Sequence, residues 1–236
     1  MEKFQAWVQQ LDFTQLWEML IVVAASLLCI TFHETCHGLV AYWMGDPTAK
    51  KQGRLSLNPL RHIDIMGLVM MAVCHFGWAK PVPVDMRNFR RPKAGMALTA
   101  LAGPGSNVLL AYVAVLFASA SAAVYICSGS KVVYYLWLFF FYLEIMSAGL
   151  AVFNLFPIPP LDGSHALNLA VSALFGPLVG DAVAALAGVL CSLALLGGAV
   201  YLYVQTRGGA LVIFAALALL LSALKELRLA RRAIKV

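Results

Sequence analysis

Five stretches of this chain, residues 16–44, 96–120, 132–156, 182–205 and 209–227, are almost unbroken runs of apolar side chains. A run of about 20 such residues is long enough to cross the ~30 Å hydrocarbon layer of a bilayer as a helix. Composition points the same way. Of the 236 residues 62% are hydrophobic and 12% charged, against roughly 45–50% and 25% in soluble domains. A soluble domain of this size could not bury that much hydrocarbon. The expected fold class is an all-α polytopic membrane protein with about five transmembrane helices, forming one membrane-embedded domain over 1–236 with no appended soluble domain.

Two further apolar pieces are too short to span. Residues 63–79, IDIMGLVMMAVCHFGWA, carry Asp64, His75 and two glycines and read as a re-entrant or membrane-dipping segment. Residues 165–178 read as a short interfacial helix. The first 20 residues lack a basic start and a small-residue cleavage site, so they read as an amphipathic lead-in rather than a cleaved signal. Trp17, Trp43, Tyr134, Tyr135 and Trp137 fall near span ends, where aromatic anchors gather.

The five cysteines, at 29, 36, 74, 127 and 191, are scattered and odd in number, which is not a disulfide framework. Fourteen of the 17 basic residues fall in three clusters, at 45–62, 80–95 and 225–235. Five spans place all three clusters on one side, and basic loops face the cytoplasm. The N-terminus is therefore expected outside and the C-terminus in the cytoplasm. The net charge of +6 follows from this topology, and no basic, groove-reading surface for nucleic acid is visible.

Within the first run stands TFHETCHGLV, residues 31–40. Ionisable groups at such depth are costly and are functional candidates by default. His33 and His37 are four residues apart and share a helix face, with Glu34 beside them. The pattern H-E-x-x-H pairs two metal-binding histidines with a general-base glutamate. Cys36 points away from the histidine face, so it is not expected to ligate. A hydrolytic zinc site needs a third protein ligand and an open fourth position. NLFPIPPLDGSH, residues 154–165, supplies a candidate in Asp162. Prolines 157, 159 and 160 cannot continue the preceding helix, and irregular backbone at membrane depth must line protein or a watery cavity. With 8–12 residues between the histidines and the end of the first span, the site would lie roughly 12–18 Å below the cytoplasmic surface.

The HETCH helix, GRLSLNPLRHID at 53–64, FGWAKPVPV at 76–84, ALAGPGSN at 100–107 and NLFPIPPLDG at 154–163 together resemble the site-2 protease family of intramembrane zinc metalloproteases. The likeness is closest to its compact bacterial branch without PDZ or CBS domains, and it covers about residues 20–170. It implies a catalytic core over about 16–170 followed by a C-terminal helical hairpin, 182–236, in a prokaryotic plasma membrane. It also implies one zinc ion per chain on His33, His37 and Asp162, Glu34 as the catalytic residue, and Asn154 in contact with substrate. The reaction implied is peptide hydrolysis in or near the spans of single-span, membrane-anchored proteins, as in regulated intramembrane proteolysis. RHIDIMG departs from the family by lacking proline after Asp64, and GPGSN by a glycine where a larger residue is common.

The remaining ionisable residues carry weaker expectations. His62 reads as solvated at the membrane edge, and His75 as a structural residue. His165 is a candidate second partner for Asp162, and Glu144 lies too far outward for catalysis. The rival reading is a metal-ion carrier or transporter with a histidine–carboxylate site, since broken helices and buried acids also suit transporters. Against it, the chain shows no inverted repeat, and polar groups flank the site on the cytoplasmic side alone.

Overall fold

The structure, a computed structural model, describes residues 13–67, 79–206 and 210–234. Long helices dominate: α1 (Phe13–Met44), the single-turn α2 (Thr48–Lys51), α3 (Pro92–Ser128), α4 (Lys131–Asn154), α5 (Asp162–Phe175), α6 (Pro177–Thr206) and α7 (Ala210–Ile234). Among the described residues, α1, α3, α4 and α6 are long and apolar enough to cross a membrane. Residues 210–227 of the fifth expected span, 209–227, lie in α7, whose last turn carries Arg231 and Arg232.

Local chemistry sets the ends. Pro92 starts α3, where its missing N–H costs nothing. Gly129 closes it in the left-handed conformation, φ 61°, with its N–H on the Tyr125 carbonyl. This makes α3 37 residues long, well beyond the expected 96–120, because its helix continues past the apolar run at both ends. The prolines after Asn154 stop α4 as expected. The next helix starts at Asp162, three residues before the expected 165, because an acid in the first turn complements the helix dipole. Gly176, at φ 90°, breaks the chain before Pro177 opens α6.

The apolar centre joins α1, α3 and α4: Ala25, Cys29, Ala114 and Leu143 are buried there, with Leu110, Phe139 and Met146 packed around them. Beyond it, α6 runs back along α5 and the proline segment. Its buried side carries Gly180, Ala184, Gly188 and Ser192 at every fourth position, the small-residue spacing that lets helix backbones approach in lipid. A Cβ on Gly188 would meet Pro159 Cδ at 2.7 Å.

The described parts of the connection between α1 and α3, 45–67 and 79–91, pack against those two helices. An antiparallel bridge pairs Ile63 with Ala79, and Lys80 N–H donates to His62 O at 2.9 Å. Asp46, fully buried at the exit of α1, accepts from Thr48 N at 3.0 Å, Asp85 N at 2.7 Å, Asn88 Nδ2 at 2.9 Å and the Thr48 hydroxyl. His62 departs from the expectation of a solvated side chain. It is 2% exposed and its Nε2–H donates to Ser56 O at 2.8 Å, because the loop doubles back onto α1. Residues 68–78, with His75 and most of the expected re-entrant piece, lie outside the described residues.

Candidate metal centre

One face of α1 presents His33 and His37 inward, 5% and 9% exposed. The rings meet edge to face with centroids 4.6 Å apart. The proline segment brings the first residue of α5 opposite them. Asp162 Oδ2 is 3.3 Å from Nε2 of His33 and 3.3 Å from Nε2 of His37, and the two Nε2 atoms are 3.0 Å apart. Tetrahedral zinc bonds of about 2.0–2.1 Å place neighbouring donors about 3.3–3.4 Å apart. The three atoms thus mark the corners of one face of such a tetrahedron. Asp162 Oδ2 is buried with no hydrogen-bond partner, an orphaned acceptor that a cation would satisfy. Two imidazoles and one carboxylate are a donor set suited to zinc. Among the described residues this is the only such cluster, and Cys36 gives it no donor.

Helix α3 holds the imidazoles from behind. The Thr99 carbonyl lies 2.6 Å from Nδ1 of His37. A carbonyl can only accept, so the proton sits on Nδ1 and Nε2 of the neutral ring keeps its lone pair. Nδ1 of His33 is 3.1 Å from the amide of Asn107, a side chain with no exposed surface. That amide's Oδ1 is buried without a partner when its nitrogen faces the ring. Rotating the amide by 180° turns the oxygen to an Nδ1–H, which satisfies it and frees Nε2 for a metal. Between these two contacts, Gly103 lets α3 lie against the rings: a Cβ there would come within 2.6 Å of His33 Nε2.

A cleft of about 370 Å³ opens beside the three donors, lined among others by Glu34, Val82, Met96, Asn154, Pro160 and His165. Glu34 Oε2 accepts from the Val82 N–H at 2.8 Å, and among the described residues Oε1 has no hydrogen-bond partner. Asn154 donates from Nδ2 to Leu150 O at 3.0 Å. His165 lines the cleft with Asp162, and among the described residues the two form no hydrogen bond. Glu144 and His62 do not line it.

Thr99, Gly103, Asn107 and Val82 were not singled out by sequence reasoning. GPGSN had been noted as a motif, and a buried signal was there: glycine and asparagine four residues apart on one face of an apolar span.

Residues 119–197 match the model of peptidase family M50. A Bacillus subtilis protein named "Putative zinc metalloprotease YwhC" is 40% identical over 148 residues, which are 60% of this chain and 65% of that protein. "Putative zinc metalloprotease Rip2" of Mycolicibacterium smegmatis is 30% identical over 153 residues, 63% of this chain and 56% of that protein. The matched part is thus under two thirds of either relative's length. The fold is similar to that of the site-2 protease from Methanocaldococcus jannaschii, at 19% identity and a TM-score of 0.48, covering 88% of this chain and 77% of that one.

Proposed function

We propose that this chain is a member of peptidase family M50 and a zinc-dependent endopeptidase that hydrolyses peptide bonds in or near the transmembrane segments of membrane-anchored, single-span proteins. The observation that carries this reading is the tetrahedral spacing of His33, His37 and Asp162 beside a pinned glutamate. One zinc ion per chain would be held by those three side chains. Zinc in such a set polarises a carbonyl and makes water nucleophilic at neutral pH.

The chain's own groups then have distinct tasks. Thr99 and Asn107 hold the imidazoles with Nε2 lone pairs converging on Asp162. Glu34, fixed through Oε2, uses Oε1 to take a proton from the attacking water and returns it to the departing amide nitrogen. Asn154, which lines the cleft, hydrogen-bonds the substrate carbonyl in this reading as charge develops on its oxygen. A substrate helix has its amides satisfied internally, so it must unwind before its bond enters the cleft. The extended residues 79–84 border that cleft and offer an edge for the unwound strand. The basic clusters favour a cytoplasmic C-terminus, with water entering from that side, and the bacterial relatives favour a prokaryotic plasma membrane.

The test compares wild type with Glu34→Gln, using purified protein and a tethered single-span substrate. Both are expected to hold one zinc per chain by elemental analysis. Cleavage by the variant is expected to fall by about 10²–10⁴-fold, the usual worth of a general acid–base. Metal transport into vesicles with no cleavage, unaffected by the variant, would instead support a carrier.

A further inference from the structure

Arg54 is 8% exposed, yet among the described residues it forms no ion pair. Its guanidinium donates through Nη1 to Arg61 O, and through Nη2 to Lys80 O at 2.6 Å and Pro81 O at 3.1 Å. The three carbonyls come from two separate segments, which the Ile63–Ala79 bridge brings side by side. Burying a cation against carbonyls alone is an expensive way to tie two loops together. What it fixes explains why it is there.

Pro81 O belongs to the same peptide group as the Val82 N–H, and a peptide group is rigid and planar. Arg54 grips that plane by its carbonyl, while the amide at its other end donates to Glu34 Oε2 at 2.8 Å. A donor on the carbonyl also polarises the amide, which strengthens the bond the amide makes. A second link supports the same arrangement from α1: Thr35, next to Glu34, donates from Oγ1 to Ser56 O at 3.0 Å, the carbonyl that also accepts from His62.

Resting on the protease reading above, we propose that Arg54 is a positioning residue for the general base: it sets the 81–82 peptide plane, and through that plane the direction of the Glu34 carboxylate. It touches neither substrate nor metal. Only a planar fork can serve carbonyls on both segments at once, so lysine, a single-point donor, is no substitute.

The experiment uses the full-length purified protein and a fluorogenic substrate that wild type cleaves and Glu34→Gln does not. If wild type itself does not cleave, the protease reading fails before Arg54 is at issue. Given wild-type cleavage, Arg54→Gln and Arg54→Lys are each expected to lower kcat by about 10–100-fold, the scale of a small misplacement of a reacting group. Zinc content is expected to stay at the wild-type value and KM within about twofold. Val82→Pro removes the amide donor and is expected to produce at least a similar loss. Combining it with Arg54→Gln is then expected to add nothing, because both act on one bond. Wild-type kcat in Arg54→Gln, zinc loss in that variant, full recovery with lysine, or additive losses in the double variant would each overturn the proposal while leaving the protease reading intact.

Discussion

The two walls of the candidate metal centre are built in opposite ways. One is a continuous helix, α1, in which a spacing of four residues is enough to aim His33 and His37 at the same point. The other is backbone broken by prolines, where Asp162 is aimed by the way the chain restarts as α5. The first wall draws its accuracy from regular hydrogen bonding and needs only support from behind. The second has no ladder to lean on, so its accuracy rests on close packing of main chain against main chain. Gly163 makes this concrete: a Cβ there would lie 2.5 Å from Phe156 O and closer still to the backbone of Leu155. The broken wall should therefore be the brittle one.

The largest effect expected is for Asp162→Ala, which deletes the broken wall's contribution outright. Zinc is expected to be lost on dialysis and cleavage to fall below detection, read by elemental analysis and the tethered substrate. Gly163→Ala leaves every donor present but forces the restart of α5 away from residues 155–156. At least tenfold lower metal affinity is expected, whereas Gly149→Ala on α4, where a Cβ meets nothing within 4 Å, should leave affinity unchanged. Equal affinities for the two variants would refute the contrast between the walls. On the regular wall, Asn107→Leu removes one support of His33. A loss of about 10–100-fold in zinc affinity is expected, typical for a partner behind a ligand, measured by competition with a chelator.

The smallest effect concerns the exit of α1. Burial alone would push the Asp46 carboxyl up, but its hydrogen bonds from Thr48, Asp85 and Asn88 outweigh this and hold it below the ordinary carboxylate value. A group depressed in the folded state adds stability that is complete above its unfolded pKa of about 3.9, and that vanishes as pH falls through the folded value. The thermal midpoint should drop on acidification below about pH 4. Asp46→Asn should lower the midpoint at neutral pH and flatten its acid dependence. An unchanged acid limb in that variant would show that the turn at 85–88 is held some other way.

The same contrast explains what could be read in advance. The spans were legible because lipid imposes long apolar runs, and the histidine pair because helical spacing is periodic. Asp162 could be paired with them because three prolines announce irregular backbone where only a lined cavity tolerates it. Thr99 carries no sequence signal of its role, and the four-residue spacing of Gly103 and Asn107 marks a shared helix face without showing how closely α3 approaches α1. His62 was misjudged for a related reason. Position next to a membrane edge says nothing about whether a loop folds back and buries what it carries. Arg54 looked like one more basic loop residue until its three carbonyl partners were in view.

On the proposed protease reading, the depth of the donors along α1 has a consequence for the pieces into which a substrate would be cut. His37 stands seven residues before Met44, where the helix ends, which at ~1.5 Å per residue is about 10 Å. A target severed at that level keeps two turns or so of greasy chain on the near fragment, far short of the ~20 residues that anchor a span. The near piece would partition into the aqueous phase, and the far piece would stay dissolved in lipid. A single scission at this level would thus act as a release step, and its shallow placement would decide which half goes free.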